Sequence, residues 1–134
     1  YVYITEFPSN NQDINHYLSE HKTDLLSRKI KKFNEKNWFE WGAPRNISVM
    51  EKNVGKDCIY ISNLTRNKEV AFIDKVQYFG GSLIMLKPKK KCNLYNIVNY
   101  MNSEKFKENF MFSNRFKIGH RQICNSVLPN SFIK

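Results

Sequence analysis

Three short apolar runs between Cys58 and Leu86 constrain this chain more than any other stretch. Cys58 to Leu64 alternates apolar and polar residues. Val70 to Ile73 is a second run, which Val76 to Phe79 can extend, and Ser82 to Leu86 is a third, stopped by Lys87-Pro88. Runs of this length, joined by a polar Arg66-Asn67-Lys68 link and by a Gly80-Gly81 turn or bulge, read as a small, mostly antiparallel sheet. The flanks carry helical periodicity. Asp13 is placed to cap a helix running to about Lys32, with Ile14, Tyr17, Leu18, Leu25 and Leu26 on one stripe and His21 beside them. Asn93 opens a helix through about Met101, with Leu94, Ile97, Val98 and Met101 on one face. Ser103 caps another, with Phe106, Phe110 and Met111 inward, ended by Asn114 and the polar run after it.

Weaker signals fill the remainder. Tyr1 to Phe7 reads as a strand or an extended segment, broken by Pro8-Ser9-Asn10. Gly42 and Pro44 terminate any helix around Trp38, Asn46 to Glu51 suits a short helical turn, and Arg115 to Arg121 suits an exposed irregular or extended segment. Phe132 and Ile133 suit a final strand. The expected fold is α+β, with an N-terminal helix, a small mostly antiparallel sheet and two following helices. A chain of 134 residues suits one domain spanning 1–134. Tyr1 in place of Met, with Val2 and Ile4 at once behind it, reads as a piece of a longer protein.

Charge narrows the function. Lys and Arg total 22 against 12 Asp and Glu, a formal net charge of +10. Such a balance suggests a polyanionic partner, although a Lys- and Asn-rich proteome would account for part of it. DNA, RNA and an anionic membrane are the candidates; no run approaches the ~20 apolar residues of a membrane span, and no membrane partner is expected. Cys58, Cys92 and Cys124 are widely spaced and form no C-x-x-C pair, which points to buried free thiols in a reducing, cytoplasmic setting rather than to zinc or disulfides.

Two basic stretches stand out. Lys22 to Lys36 holds six basic and two acidic residues, and its position near a helix C-terminus gives it a structural explanation. Lys87 to Arg121 holds nine basic and two acidic residues, the kind of cluster that neutralises phosphates. Within it, Lys89, Lys90 and Lys91 either span a phosphate backbone or guard a strand edge. Arg115-Phe116-Lys117-Ile118-Gly119-His120-Arg121-Gln122 is more specific. If it is extended, Arg115 and Lys117 share one face while Phe116 and Ile118 anchor the other. Gly119 would then permit an unusual backbone or a close approach, and His120, Arg121 and Gln122 would follow as hydrogen-bonding side chains. Arg suits guanine and Gln suits adenine. Arg66 and Lys68 between the first two strands, and Gln77 before the glycine pair, are further candidates or ordinary hairpin tips. Trp38 and Trp41 suit core or interface better than base stacking, leaving Arg45 as the exposed polar residue of that segment.

Motifs for phosphate-loop, dinucleotide, zinc-protease or nucleophile-elbow chemistry are absent, and no clustering of carboxylates suggests two-metal cleavage. Neither a catalytic residue nor a metal ligand is nominated. The residues alone leave open duplex DNA binding, a single-stranded nucleic-acid or RNA module, and a basic protein-interaction domain.

Five stretches together resemble one family. They are Leu18 to Arg28, Trp38-Phe39-Glu40-Trp41-Gly42-Ala43-Pro44-Arg45, Ile59 to Phe72 with Leu64-Thr65-Arg66, Tyr78-Phe79-Gly80-Gly81-Ser82-Leu83, and Met101-Asn102-Ser103 leading to Arg115–Gln122. In this order they are similar to the C-terminal target-recognition domain of restriction–modification N6-adenine DNA methyltransferases of the TaqI type. The resemblance implies that a preceding catalytic domain holds S-adenosylmethionine and an N-P-P-Y-type motif, neither of which occurs here. This chain would grip double-stranded DNA and read its sequence. The resemblance favours Arg66, Arg115, Lys117, His120 and Arg121. Ala43 stands where a basic residue is often found, which leaves Arg45 to carry any contact there.

Overall fold

The computed structural model describes residues 2–132 and divides into two compact units, Tyr1–Glu51 and Lys52–Lys134. Its class is the expected α+β, with six short helices and two antiparallel sheets among the described residues.

The first unit contains α1 (Gln12–Glu20) and α2 (Lys22–Leu26), and α3 (Ile47–Asn53) crosses its boundary. Asn11, not Asp13, caps α1. The Asn11 side chain accepts a hydrogen bond from the Ile14 N–H, while Asp13 lies in the first turn, where its charge suits the helix dipole. The single helix expected to Lys32 breaks at His21, whose φ of −101° and ψ of 8° leave the helical region. The apolar stripe is only partly kept. Leu18 is buried, but Tyr17 is 52% exposed, and Asn15 takes a buried place by exchanging hydrogen bonds with the backbone and hydroxyl of Ser9.

After Ser27 the chain is irregular and Arg28 organises it. Its Nε donates to the Leu25 carbonyl at 2.8 Å, and its Nη2 donates to the carbonyls of Trp38 at 2.7 Å and Glu40 at 3.0 Å. The guanidinium covers the Phe33 ring at 3.9 Å. Trp38 is buried against Phe7, with ring centroids 4.7 Å apart, and the Trp41 Nε1–H donates to the Val2 carbonyl. The aromatic cluster is thus the core of this unit. Gly42 lies against Ile30, where an added Cβ would come within 2.2 Å of Cγ2. Close approach is therefore what glycine supplies there. Residues 2–7 form no regular strand, and Tyr1 lies outside the described residues.

The second unit runs β1 (Asp57–Ser62), β2 (Leu64–Thr65), β3 (Ala71–Lys75), β4 (Leu83–Leu86), α4 (Leu94–Asn102), α5 (Glu104–Lys107), β5 (Met111–Phe112), β6 (Arg115–Lys117) and α6 (His120–Asn125). Single 3-10 turns lie at Glu108–Phe110 and Asn130–Phe132. The last of these takes Phe132, so no closing strand forms there, and Ile133 lies outside the described residues. One sheet has the order β3-β1-β4 and the other β2-β6-β5.

The expected alternation in the first strand is not what the structure shows. Cys58, Ile59, Tyr60 and Ile61 are all buried, because β1 is the central strand and is covered on both faces. Ile59 and Ile61 join Val70, Ala71 and Ile84 in the main core, against Ile97 and Met101 of α4 and Phe106 of α5. On the other face Tyr60 meets Phe72 and Phe79, with ring centroids 5.6 and 5.2 Å away. The segment expected to lengthen β3 covers this face instead: β3 ends at Lys75, Val76 is buried, and the Gln77 N–H donates to the Tyr60 hydroxyl at 3.3 Å.

Asn63 carries the chain from one sheet into the other. Its N–H donates to the Ser82 carbonyl at 3.0 Å and its Nδ2 to the Gly81 carbonyl at 2.7 Å, while its own carbonyl accepts from the Ile118 N–H at 2.9 Å. Residues 111–117 form a hairpin: the helix expected to carry Met111 inward gives way to β5, and the irregular or extended segment expected from Arg115 begins as the extended strand β6. Ser113 and Asn114 occupy its two-residue turn with φ of 49° and 59°, the backbone that fits the twist of tight hairpins. Met111, expected inward, is 50% exposed as a result.

Asn93 and Ser103 cap α4 and α5 as expected. Of the three cysteines only Cys58 is buried; Cys92 is half-buried, and Cys124 is exposed on α6.

Asn102, at the end of α4, ties that helix to the sheet. Its Oδ1 accepts from the N–H groups of Val70 and Ala71 at 2.7 and 2.9 Å, and its Nδ2 donates to the Ala71 carbonyl at 2.9 Å. Asn102→Ala would strand backbone groups of two buried residues and should cost roughly 2–4 kcal/mol in urea denaturation.

Burial raises the pKa of both the Cys58 thiol and the Tyr60 hydroxyl. Both groups therefore hold their protons more tightly folded than unfolded. The stability this contributes is complete below the unfolded values and is lost as pH rises through the folded ones. The unfolding free energy should fall above about pH 9, and fall less steeply in Cys58→Ala.

Candidate nucleic-acid interface

The two units differ sharply in charge. The first holds seven basic and seven acidic side chains; the second holds fifteen basic and five acidic ones, and so carries the whole net charge of +10. In the first unit Lys22 pairs with Glu35, Lys31 pairs with Glu40 and Arg28 is bound to carbonyls. Three of the six basic residues in its run thus serve the unit's own structure.

In the second unit two of the candidate cations, Arg115 and Lys117, lie on β6, the central strand of the sheet β2-β6-β5. Directly paired residues share a face in antiparallel sheets. Leu64 pairs with Lys117, and Phe112 pairs with Arg115. Leu64, Phe112, Arg115 and Lys117 therefore lie on one face, with no acidic residue in any of the three strands. The opposite face carries Phe116, 2% exposed in the main core, and Ile118 just beyond the strand is equally buried. The expected division of Arg115 and Lys117 from Phe116 and Ile118 is what the structure has. Arg66 follows Thr65, which pairs with Phe116, and so stands just beyond the end of β2.

The loop bearing Arg66 and Lys68 is held from beneath. Lys107 Nζ donates to the Lys68 carbonyl at 3.1 Å and pairs with Glu104 at 2.9 Å. Lys107 is buried and belongs to the scaffold, although by charge it counts with the basic run. Arg66, Lys68 and Lys117 are exposed, and Arg115 is half-buried. None of these four has an acidic partner among the described residues.

His120, Arg121 and Gln122 are exposed, but they open α6 rather than continuing an extended segment. Gly119 is the residue before that helix, with an ordinary φ of −109°, and an added Cβ would meet only Gln122 Oε1 at 3.6 Å. Of the two roles the sequence offered for Gly119, an unusual backbone or a close approach, the backbone is ordinary. Gln122 Oε1 accepts from the Gly119 N–H at 2.8 Å, so a two-atom contact with adenine would require it to release this bond.

Other candidates lie elsewhere. Gln77 sits beyond the Lys75 end of β3, opposite the end of β1 that leads into β2, and its Nε2 donates to the Asp74 carboxylate at 3.3 Å. Lys89, Lys90 and Lys91 are exposed and follow β4, an edge strand, toward that same end of the sheet, where they also suit edge protection. Lys89 and Lys90 line a cavity of about 530 Å³ with Leu86, Ile97 and Ile123. Arg45 is exposed in the first unit.

Two features escaped the sequence reading, the exposure of Phe112 and the hairpin that presents it. The signal available was a Met-Phe pair before Ser113-Asn114, a turn without glycine. Among the described residues no group of His, Cys, Asp or Glu is disposed to hold a metal ion, and no helix is long and apolar enough to cross a membrane.

No protein-family model and no solved structure matches this chain. Among curated proteins it is similar to the Type II methyltransferase M.MjaIV of Methanocaldococcus jannaschii, with 26% identity over 134 residues. The alignment covers 98% of this chain and 43% of that protein, so the chain spans less than half the length of its relative. The similarity supports a relationship to the methyltransferases of restriction–modification systems.

Proposed function

We propose that this chain binds duplex DNA and reads a target sequence as the recognition part of a site-specific adenine-N6 DNA methyltransferase. The observation that carries this reading is the acid-free, basic face of β2-β6-β5, in the unit that holds all of the net charge. The similarity to a Type II methyltransferase supports it from a different direction. All 134 residues would serve as one recognition part of a cytoplasmic enzyme.

Within this reading Arg66, Lys68, Arg115 and Lys117 neutralise phosphates and fix register, which is where most protein–DNA hydrogen bonds go. His120 and Arg121, in the first turn of α6, are the candidates for base edges. S-adenosylmethionine belongs to a catalytic domain that would receive the flipped adenine.

The test is anisotropy of a fluorescein-labelled, random-sequence duplex of about 30 base pairs, titrated at about 50 and 200 mM salt. Binding should weaken steeply with salt. Arg66→Ala and Lys117→Ala should each reduce the slope of log K against log salt by about 1, with little dependence on sequence. Arg121→Ala should instead relax the sequence preference recovered by selection from the random pool. Failure to bind any duplex at low salt refutes the proposal.

A further inference from the structure

The β5–β6 hairpin holds an aromatic ring in water where packing does not require one. Phe112 is 67% exposed, and Leu64 and Met111 are each 50% exposed. On the face shared by Leu64, Lys117, Arg115 and Phe112, the two cations of β6 are flanked on either side by an apolar side chain. The ring is firmly presented. A two-residue turn fixes the tip, and Phe116 on the reverse side of β6 is buried among Phe106, Phe110 and Ile118.

A surface that sets cations beside exposed apolar groups fits a partner offering anionic charge and flat apolar faces together. Nucleic acid does this with its phosphates and bases. In a closed duplex the base faces are covered, so a Phe ring reaches them only where the stack is opened, as apolar wedges do in DNA-bending proteins. We infer that Phe112 is a wedge that packs against unstacked bases of the duplex, while Arg115 and Lys117 hold the adjoining phosphates. The inference rests on the duplex-binding reading above.

The experiment uses the purified protein and random-sequence duplexes of about 30 base pairs in which 2-aminopurine replaces adenine, since its fluorescence rises when stacking is lost. Wild type should raise the fluorescence on binding. Phe112→Ala should bind roughly tenfold more weakly and lose the fluorescence rise, yet keep the salt slope, because no phosphate contact is removed. Phe112→Trp should restore both affinity and fluorescence rise. Arg115→Ala with Lys117→Ala should lower the salt slope and keep the fluorescence rise at saturating protein.

Unchanged affinity and fluorescence in Phe112→Ala overturn the wedge and leave duplex binding standing. So does a lower melting temperature of the free variant with the fluorescence rise intact, which would mean that the ring packs on another part of the protein. A wild type that binds single strands in preference to duplex, or binds neither, overturns the wedge together with the reading beneath it.

Discussion

The second unit depends on the burial of β1 on both faces. A strand in that position has every backbone group committed to its neighbours, and here β3 and β4 supply the partners on either side. Ile59 and Ile61 then fill one core while Cys58 and Tyr60 fill a smaller one. Because β1 cannot shift, the start of β2 is fixed as well. Asn63 bonds to Gly81, Ser82 and Ile118 and hands the chain to β2 in a set place. The second sheet is short, with strands of two or three residues, and is too small to stand alone. It is held through Asn63 and through Phe116 and Ile118, which reach into the core that β1 organises.

That arrangement gives the basic face a rigid back. Long cationic side chains lose entropy when they bind, and a fixed origin limits the loss. The same economy explains Lys107. A buried ammonium is costly unless it is paired, and this one meets Glu104 and the Lys68 carbonyl. It stabilises the loop that presents Arg66 and Lys68 rather than offering charge to a partner. Basic side chains near one another in sequence therefore divide into scaffold and surface, and the division follows burial rather than spacing.

Much of the fold was legible in particular residues. Asn93 and Ser103 cap helices because their side chains meet free backbone N–H groups, and that chemistry is local. The alternation of Arg115, Phe116, Lys117 and Ile118 likewise fixes which side chains are buried. Misreadings arose where a residue's role depended on distant parts of the chain. Cys58–Leu64 looked like a strand with one wet face because nothing in its own sequence says that residues 76–79 fold over it. Gly119 suggested an unusual backbone or a close approach; its backbone is a common one and a helix follows it. The 111–117 hairpin was missed because its turn uses Ser113 and Asn114, which tolerate positive φ without announcing it as glycine does. Of the candidate site, Arg66, Arg115 and Lys117 converge on one sheet, whereas Gln77 and the lysines after β4 lie toward the far end of the other.

The sequence by itself determined the α+β class, the excess of positive charge and the alternation that turns Arg115 and Lys117 away from the core. These come from composition and from the two-residue period of a strand, which need no knowledge of the rest of the chain. Tertiary structure alone decided where the first unit ends, that Arg28 and Lys107 serve the scaffold, and that Phe112 stands exposed beside Arg115. Those outcomes depend on strand pairing and burial across long stretches of sequence, and pairing between distant strands is set by the whole packed core.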